Sequence, residues 1–176
     1  MNSPVTDYKA LIREVPNFPN PGILFYDITT LLKDAQALRS IVDELAERYR
    51  DKEVSKIIGI ESRGFIFGSA LSYRLGVGFI PVRKPGKLPA DIFEVKYNLE
   101  YGSNSLAIHR DAVGIGENVL IVDDLLATGG TAAATVNLVR QLGGKIVGLA
   151  FLIELTNLHG RERLSGCDVH SMITYS

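Results

Sequence analysis

The stretch "VLIVDDLLATGGT", residues 119–131, decides how the rest of the chain is read. A continuous apolar run leads into two adjacent acids, Asp123 and Asp124, and then into a Thr-Gly-Gly-Thr turn. An apolar run without polar alternation predicts a strand buried on both faces, as parallel sheets require. The segment that follows, "TAAATVNLVRQLGG", predicts a helix opened by Thr131 and stopped by Gly143 and Gly144. Strand, turn and helix in that order form the first half of a βαβ unit.

The same alternation extends outward in both directions. "SKIIGI", "VGFIPVR" and "KIVGLAFLIEL" predict further buried strands, and "GFIFGSALSYRLG" predicts a helix closed by Gly76. Upstream, Asp34 is placed to N-cap "AQALRSIVDELAERYRDK", where Leu38, Ile41, Val42, Leu45, Ala46 and Tyr49 recur at helical spacing. Pro16, Pro19 and Pro21 fix three φ angles in close succession, so the segment before that helix is expected to be extended and irregular. The polar, alternating "KPGKLPADIFEVKYNLEYGSNSLAIHRDAV" suits a hairpin projecting from the sheet. The expected fold is α/β: a mainly parallel central sheet flanked by helices. No internal repeat or linker divides it, so residues 1–176 are expected to form a single domain.

Composition narrows the function. Hydrophobic residues make up 46% of the chain and the formal net charge is -1, so no general basic field draws in nucleic acid or an anionic membrane. No run is long enough to span a bilayer, and the N-terminal stretch lacks the apolar core of a secretory signal. Cys167 is the sole cysteine, which rules out an internal disulfide and suits a reducing cytoplasm. His109, His159 and His170 are scattered, with no partner at metal-ligand spacing, so no permanently ligated metal is expected.

Open α/β sheets bind ligands beyond the carboxyl ends of their strands. Three segments follow such ends: "ESRG", "RKPGK" and "DDLLATGGT". In the last, Gly129 and Gly130 expose consecutive backbone N–H groups and Thr131 opens a helix, which makes an anion cradle. The Lys of a P-loop is missing, so the cradle suits a lone phosphate monoester more than a nucleotide tail. Asp123 and Asp124 can accept hydrogen bonds from sugar hydroxyls, and phosphate plus vicinal diol describes a ribose 5-phosphate. Arg63, Lys84 and Lys87 add charge for a second, larger anion, which points to phosphoribosyl pyrophosphate.

At this point the chain resembles a known family. "VLIVDDLLATGGT" is similar to the phosphoribosyl pyrophosphate motif of type I phosphoribosyltransferases. "FPNPGILFYDIT", "ESRGFIFG", "RKPGKLP" and "LEYG" resemble the branch of that family that uses adenine, and the likeness runs over about residues 5 to 176. The resemblance implies a purine-salvage transferase making AMP and pyrophosphate from adenine and phosphoribosyl pyrophosphate. It implies that Asp123 and Asp124 bind the ribose hydroxyls, and that Ala127, Thr128, Gly129, Gly130 and Thr131 hold the 5′-phosphate. Arg63, Lys84 and Lys87 would face pyrophosphate, with Mg²⁺ carried in on the substrate. An N-terminal hood would cover adenine with Leu24, Phe25 and Tyr26; some relatives carry Arg where this chain has Tyr26. Glu100 would serve as acid/base residue, and a hairpin lid bearing Tyr101 would close over the site. The resemblance further implies a non-proline cis peptide in "ESRG", eased by Gly64, and a homodimer. Two other readings stay open: transfer to a different purine base, and a non-catalytic regulator that keeps the phosphoribosyl pyrophosphate pocket.

Overall fold

The computed structural model describes residues 7–98 and 103–176. They belong to two compact units, Met1–Glu44 and Leu45–Ser176.

In the first unit a short 3-10 turn, Lys9–Leu11, precedes strands β1 (Arg13–Pro16) and β2 (Leu24–Asp27), which pair antiparallel. Between them lie the cis Phe18–Pro19 bond and Asn17 at φ 59°, whose side-chain oxygen accepts a 2.8 Å hydrogen bond from the Gly22 N–H. The proline-rich segment is thus a strand–turn–strand. After α1 (Thr29–Leu32), Asp34 caps α2 (Ala35–Tyr49): its Oδ1 accepts from the N–H groups of Gln36 and Ala37, both at 3.0 Å. The cap satisfies amides that a helix start leaves unpaired. Ile41 is fully buried on the apolar stripe of this helix.

The second unit runs β3 (Lys56–Ile60), α3 (Gly64–Leu75), β4 (Gly78–Val82), β5 (Ile92–Asn98), β6 (Ser103–His109), β7 (Asn118–Leu126), α4 (Gly130–Gln141), β8 (Lys145–Leu155) and β9 (Val169–Tyr175). Among the described residues, five of these strands form one sheet in the order β4-β3-β7-β8-β9, parallel at every pairing. Helix α3 carries the chain from β3 out to β4, and α4 carries it from β7 to β8 in the opposite direction. Because βαβ crossovers are right-handed, opposite directions place the two helices on opposite faces. Both faces are therefore covered, which explains why Ile57, Ile58, Leu120 and Ile121 are all fully buried at consecutive positions. Gly76 closes α3 in the left-handed conformation, at φ 69°.

Besides the paired β1 and β2, where an irregular segment was expected, the second unit departs from the sequence expectations in three places. The central strand does not stop at the acids; β7 continues through Asp123 and Asp124 to Leu126, because Leu125 and Leu126 still pair with Ile153 and Glu154 of β8. A fifth strand, β9, was not expected. Its polar positions His170, Ser171 and Thr174 hide the strand signal, and as a sheet edge it buries little beyond Ile173. The hairpin β5–β6 is present, in register from Ile92↔His109 to Asn98↔Ser103. However, it does not simply project. Leu106, Ala107 and Ile108 are buried, and Ala107 exchanges backbone hydrogen bonds with Arg83 at 2.7 and 3.0 Å.

Candidate active site

The parallel sheet sends every carboxyl end to one edge. Chain order reverses between β3 and β7, since β3 is followed outward by β4 while β7 is followed the other way by β8. Such a switch point splays the two following loops apart and leaves a crevice. Here the crevice is a cavity of about 460 Å³ lined by residues 61–63 after β3 and residues 123–132 at the end of β7 and the start of α4.

Arg63 crosses this crevice. Its Nε forms an ion pair with Asp124 Oδ2 at 2.6 Å. Asp123 Oδ1 accepts from the Asp124 N–H at 2.9 Å, so the two acids brace each other. Burial pushes the Asp123 carboxyl well above the usual carboxylate range, and the neighbouring Asp124 charge pushes it further. Burial raises Asp124 as well, against the pull of the Arg63 guanidinium. Gly64 permits the close approach: a Cβ there would stand 2.8 Å from both Asp123 Oδ1 and Val122 O. The Glu61–Ser62 peptide is cis, as the resemblance implied, and Gly64 begins α3 directly after this loop.

On the β7 side, Gly129 adopts φ 78° and α4 starts at Gly130, aiming its first amides at the cavity. Ala127, Thr128, Gly129, Gly130 and Thr131 all line it. The loop is backed by Gly160, at the start of a 3-10 turn, Gly160–Leu164. A side chain on Gly160 would run into Ala127 O, and one on Gly129 would run into Gly160 O. Two glycines are needed because two backbones touch.

Lys84 and Lys87 do not line the cavity; they are tied to Glu61, which does, Lys84 by its backbone and Lys87 by its side chain. Lys87 Nζ donates to Glu61 Oε1 at 2.9 Å, the Lys84 N–H donates to Oε2 at 3.1 Å, and Arg83 donates from two nitrogens at 3.3 Å. The Lys87 hydrogen bond, helped by those of Lys84 and Arg83, holds the Glu61 carboxyl down at about 2. Leu24, Phe25 and Tyr26 form most of β2 in the first unit, where the Phe25 ring meets Phe18 edge-on at 5.1 Å. Glu100 and Tyr101 lie outside the described residues.

A family model for the phosphoribosyl transferase domain matches residues 29–173. The chain belongs to the phosphoribosyltransferase family. It is 60% identical to the adenine phosphoribosyltransferase of Solibacter usitatus, over 96% of this chain and 98% of the relative. The crystal structure of adenine phosphoribosyltransferase from Thermoanaerobacter pseudethanolicus superposes with a TM-score of 0.93 at 53% identity, covering 96% of this chain and 98% of that one. The Saccharomyces cerevisiae adenine phosphoribosyltransferase, complexed with an imino-altritol bisphosphate and adenine, gives a TM-score of 0.89 at 41% identity, covering 94% and 96%.

In and around this cavity, four residues are not marked by the sequence alone. Glu61 gathers the basic loop, and the only hint was its place as first letter of "ESRG". Arg83 staples the same loop by donating to Lys87 O at 3.2 Å. Gly160 supports the glycine turn from a segment about thirty residues away, and nothing local in "HGRERL" announces that contact. Tyr97 on β5 places its hydroxyl 3.2 Å from Thr131 Oγ1.

Proposed function

We propose that this chain transfers the 5-phosphoribosyl group from phosphoribosyl pyrophosphate to adenine, giving AMP and pyrophosphate. The observation that carries the reading is the switch-point cavity, in which two paired acids and an amide-rich helix start face an arginine across one crevice. Adenine phosphoribosyltransferases of high identity over nearly the whole chain support the choice of base.

In this reading Asp123 and Asp124 receive the ribose hydroxyls, and the loop of residues 127–131 receives the 5′-phosphate at the start of α4. Arg63 takes the incoming pyrophosphate bidentately, exchanging its Asp124 partner for the substrate. Lys84 and Lys87, held beside it by Glu61, add charge along the same leaving group. Positive charge at the departing pyrophosphate and negative charge below the sugar both favour an oxocarbenium-like transition state, and attack from the opposite side inverts the anomeric carbon. Leu24, Phe25 and Tyr26 cover adenine, Glu100 stabilises or relays its proton, and Tyr101 belongs to the closing lid that excludes water. Residues 1–176 act as one functional unit, as a homodimer.

The donor set suits Mg²⁺ that arrives with its substrate. Among the described residues no three metal-ligating side chains converge, whereas Mg²⁺ is satisfied by phosphate oxygens, water and one or two carboxylates. Asp123 and Asp124 are the carboxylates that would reach it, through the hydroxyls they bind. When bound, the ion neutralises charge building on pyrophosphate. Among the described residues no helix is long and apolar enough to cross a membrane.

The deciding experiment offers purified protein Mg²⁺ and phosphoribosyl pyrophosphate with adenine, hypoxanthine, guanine or xanthine in turn. AMP from adenine alone is the expected result. Nucleotide from another base would reassign specificity, and tight binding without any product would make the chain a sensor. The same assay on Glu100→Ala should show a large fall in kcat; turnover near wild type would remove Glu100 from the mechanism.

A further inference from the structure

We propose that Tyr97 is a positioning residue for the sugar phosphate: its phenol sets the direction in which the Thr131 hydroxyl offers its proton. The inference rests on the reading of residues 127–131 as the phosphate cradle.

Tyr97 lies on β5, opposite Asn104 of β6, with its ring half-buried against the core of the second unit. Its hydroxyl sits 3.2 Å from Thr131 Oγ1, and either oxygen can be the donor. Thr131 is the second residue of α4 and lines the cavity. Its backbone carbonyl is already engaged, accepting from the Thr135 hydroxyl at 3.0 Å. Thr131 thus joins the hairpin, through its hydroxyl, to the cavity that the residue lines.

A threonine hydroxyl carries one proton and two lone pairs. A phosphate monoester dianion has only acceptors to offer. Thr131 must then donate into the cavity, which leaves its oxygen as the acceptor for Tyr97. A phosphate thus selects one of two hydrogen-bond directions: phenol to hydroxyl, hydroxyl to phosphate. Each bond in such a chain polarises the next, and the ring anchored in β5 holds the threonine rotamer in place before the ligand arrives. Without the phenol, the hydroxyl is free to turn toward other acceptors, and ligand binding has to order it.

Tyr97→Phe tests this, because it keeps the ring and removes one oxygen. Calorimetric titration with ribose 5-phosphate would compare wild type, Tyr97→Phe, Thr131→Val and the double variant. Loss of one hydrogen bond predicts binding about three- to tenfold weaker for Tyr97→Phe. In the double variant the phenol has nothing left to orient, so binding should be no weaker than in Thr131→Val alone. In turnover, KM for phosphoribosyl pyrophosphate should rise by the same factor while kcat and KM for adenine stay unchanged, a split that a merely structural role would not produce. Equal binding by Tyr97→Phe and wild type overturns the proposal, as does a full Tyr97 effect persisting beside Thr131→Val. Wild type that fails to bind ribose 5-phosphate at all removes the phosphate reading of the loop, and this inference with it.

Discussion

Strands β7 and β8 lie side by side, and each brings a nearly buried carboxylate to the same edge of the sheet: Asp124 is 6% exposed and Glu154 5%. Each is paired with an arginine, yet their proton affinities move in opposite directions. Glu154 accepts from Arg161 Nε at 3.0 Å, from a second Arg161 nitrogen, and from Ser171 Oγ at 2.6 Å. The Arg161 hydrogen bonds outweigh burial and hold its carboxyl below the usual range. Asp124 meets Arg63 at 2.6 Å, but burial prevails and its proton affinity rises. A carboxylate whose lone pairs are filled by its own chain belongs to the fold. One that burial in a cavity leaves with a raised proton affinity is poised for the donors that a ligand brings.

Breaking the Glu154 side should cost the most. Arg161→Ala leaves a buried carboxylate with Ser171 as its remaining side-chain donor. Arg161 is itself 48% exposed and water can partly replace it, so the loss should be about 2–3 kcal/mol. Chemical denaturation measures this, and kcat well below the unfolding midpoint should stay within about threefold of wild type, since the hydrogen bonds lost lie outside the cavity and change little in the transition state. A collapse of kcat at unchanged stability would erase the distinction between the two acids.

Gly64→Ala probes the contact that brings the Arg63 loop against β7. Its methyl group would meet Asp123 Oδ1 and Val122 O at 2.8 Å, so one of the two segments must shift. The expected cost is about 1–2 kcal/mol of stability, with a larger fall in kcat/KM, because a shift of a few tenths of an ångström misplaces both acids and Arg63. Full activity would mean that the close approach is incidental.

Asp123→Asn should have the smallest effect on stability and the opposite sign. Asparagine can still accept from the Asp124 N–H but carries no charge to bury, so the free protein should gain about 1 kcal/mol while losing activity. The pH dependence follows from the same cause. The folded-state affinity of Asp123 for a proton exceeds its unfolded value, so its ionisation weakens the fold as pH rises through the raised folded pKa. That penalty fades as pH falls toward the ordinary value of 3.8, and the advantage of the asparagine variant should fade with it. An asparagine variant less stable than wild type at neutral pH would show that Arg63 already compensates the pair.

Much of the site was legible because its chemistry is local. Asp123, Asp124 and the glycine turn are nine residues of continuous chain, and a buried strand that delivers two adjacent acids to its end calls for donors to meet them. The Asp34 cap and the Gly76 stop were legible for the same reason: each acts on amides within a few residues of itself. Edge strand β9 was not, since half-exposed polar alternation resembles a loop until a neighbouring strand supplies its partners.

The sequence by itself determined most of the elements, the parallel sheet apart from its edge strand β9, and the acids, glycine turn and basic residues at its carboxyl edge. These depend on hydrophobic periodicity, caps and turns, which act over a few residues. Only the tertiary structure decided how those groups are used. It set Arg63 against Asp124, drew Lys84 and Lys87 to Glu61, backed Gly129 with Gly160, and joined Tyr97 to Thr131. Burial, proton affinity and hydrogen-bond partnership depend on what stands within about 4 Å in space, and that is fixed by how strands are ordered in the sheet, not by their order along the chain.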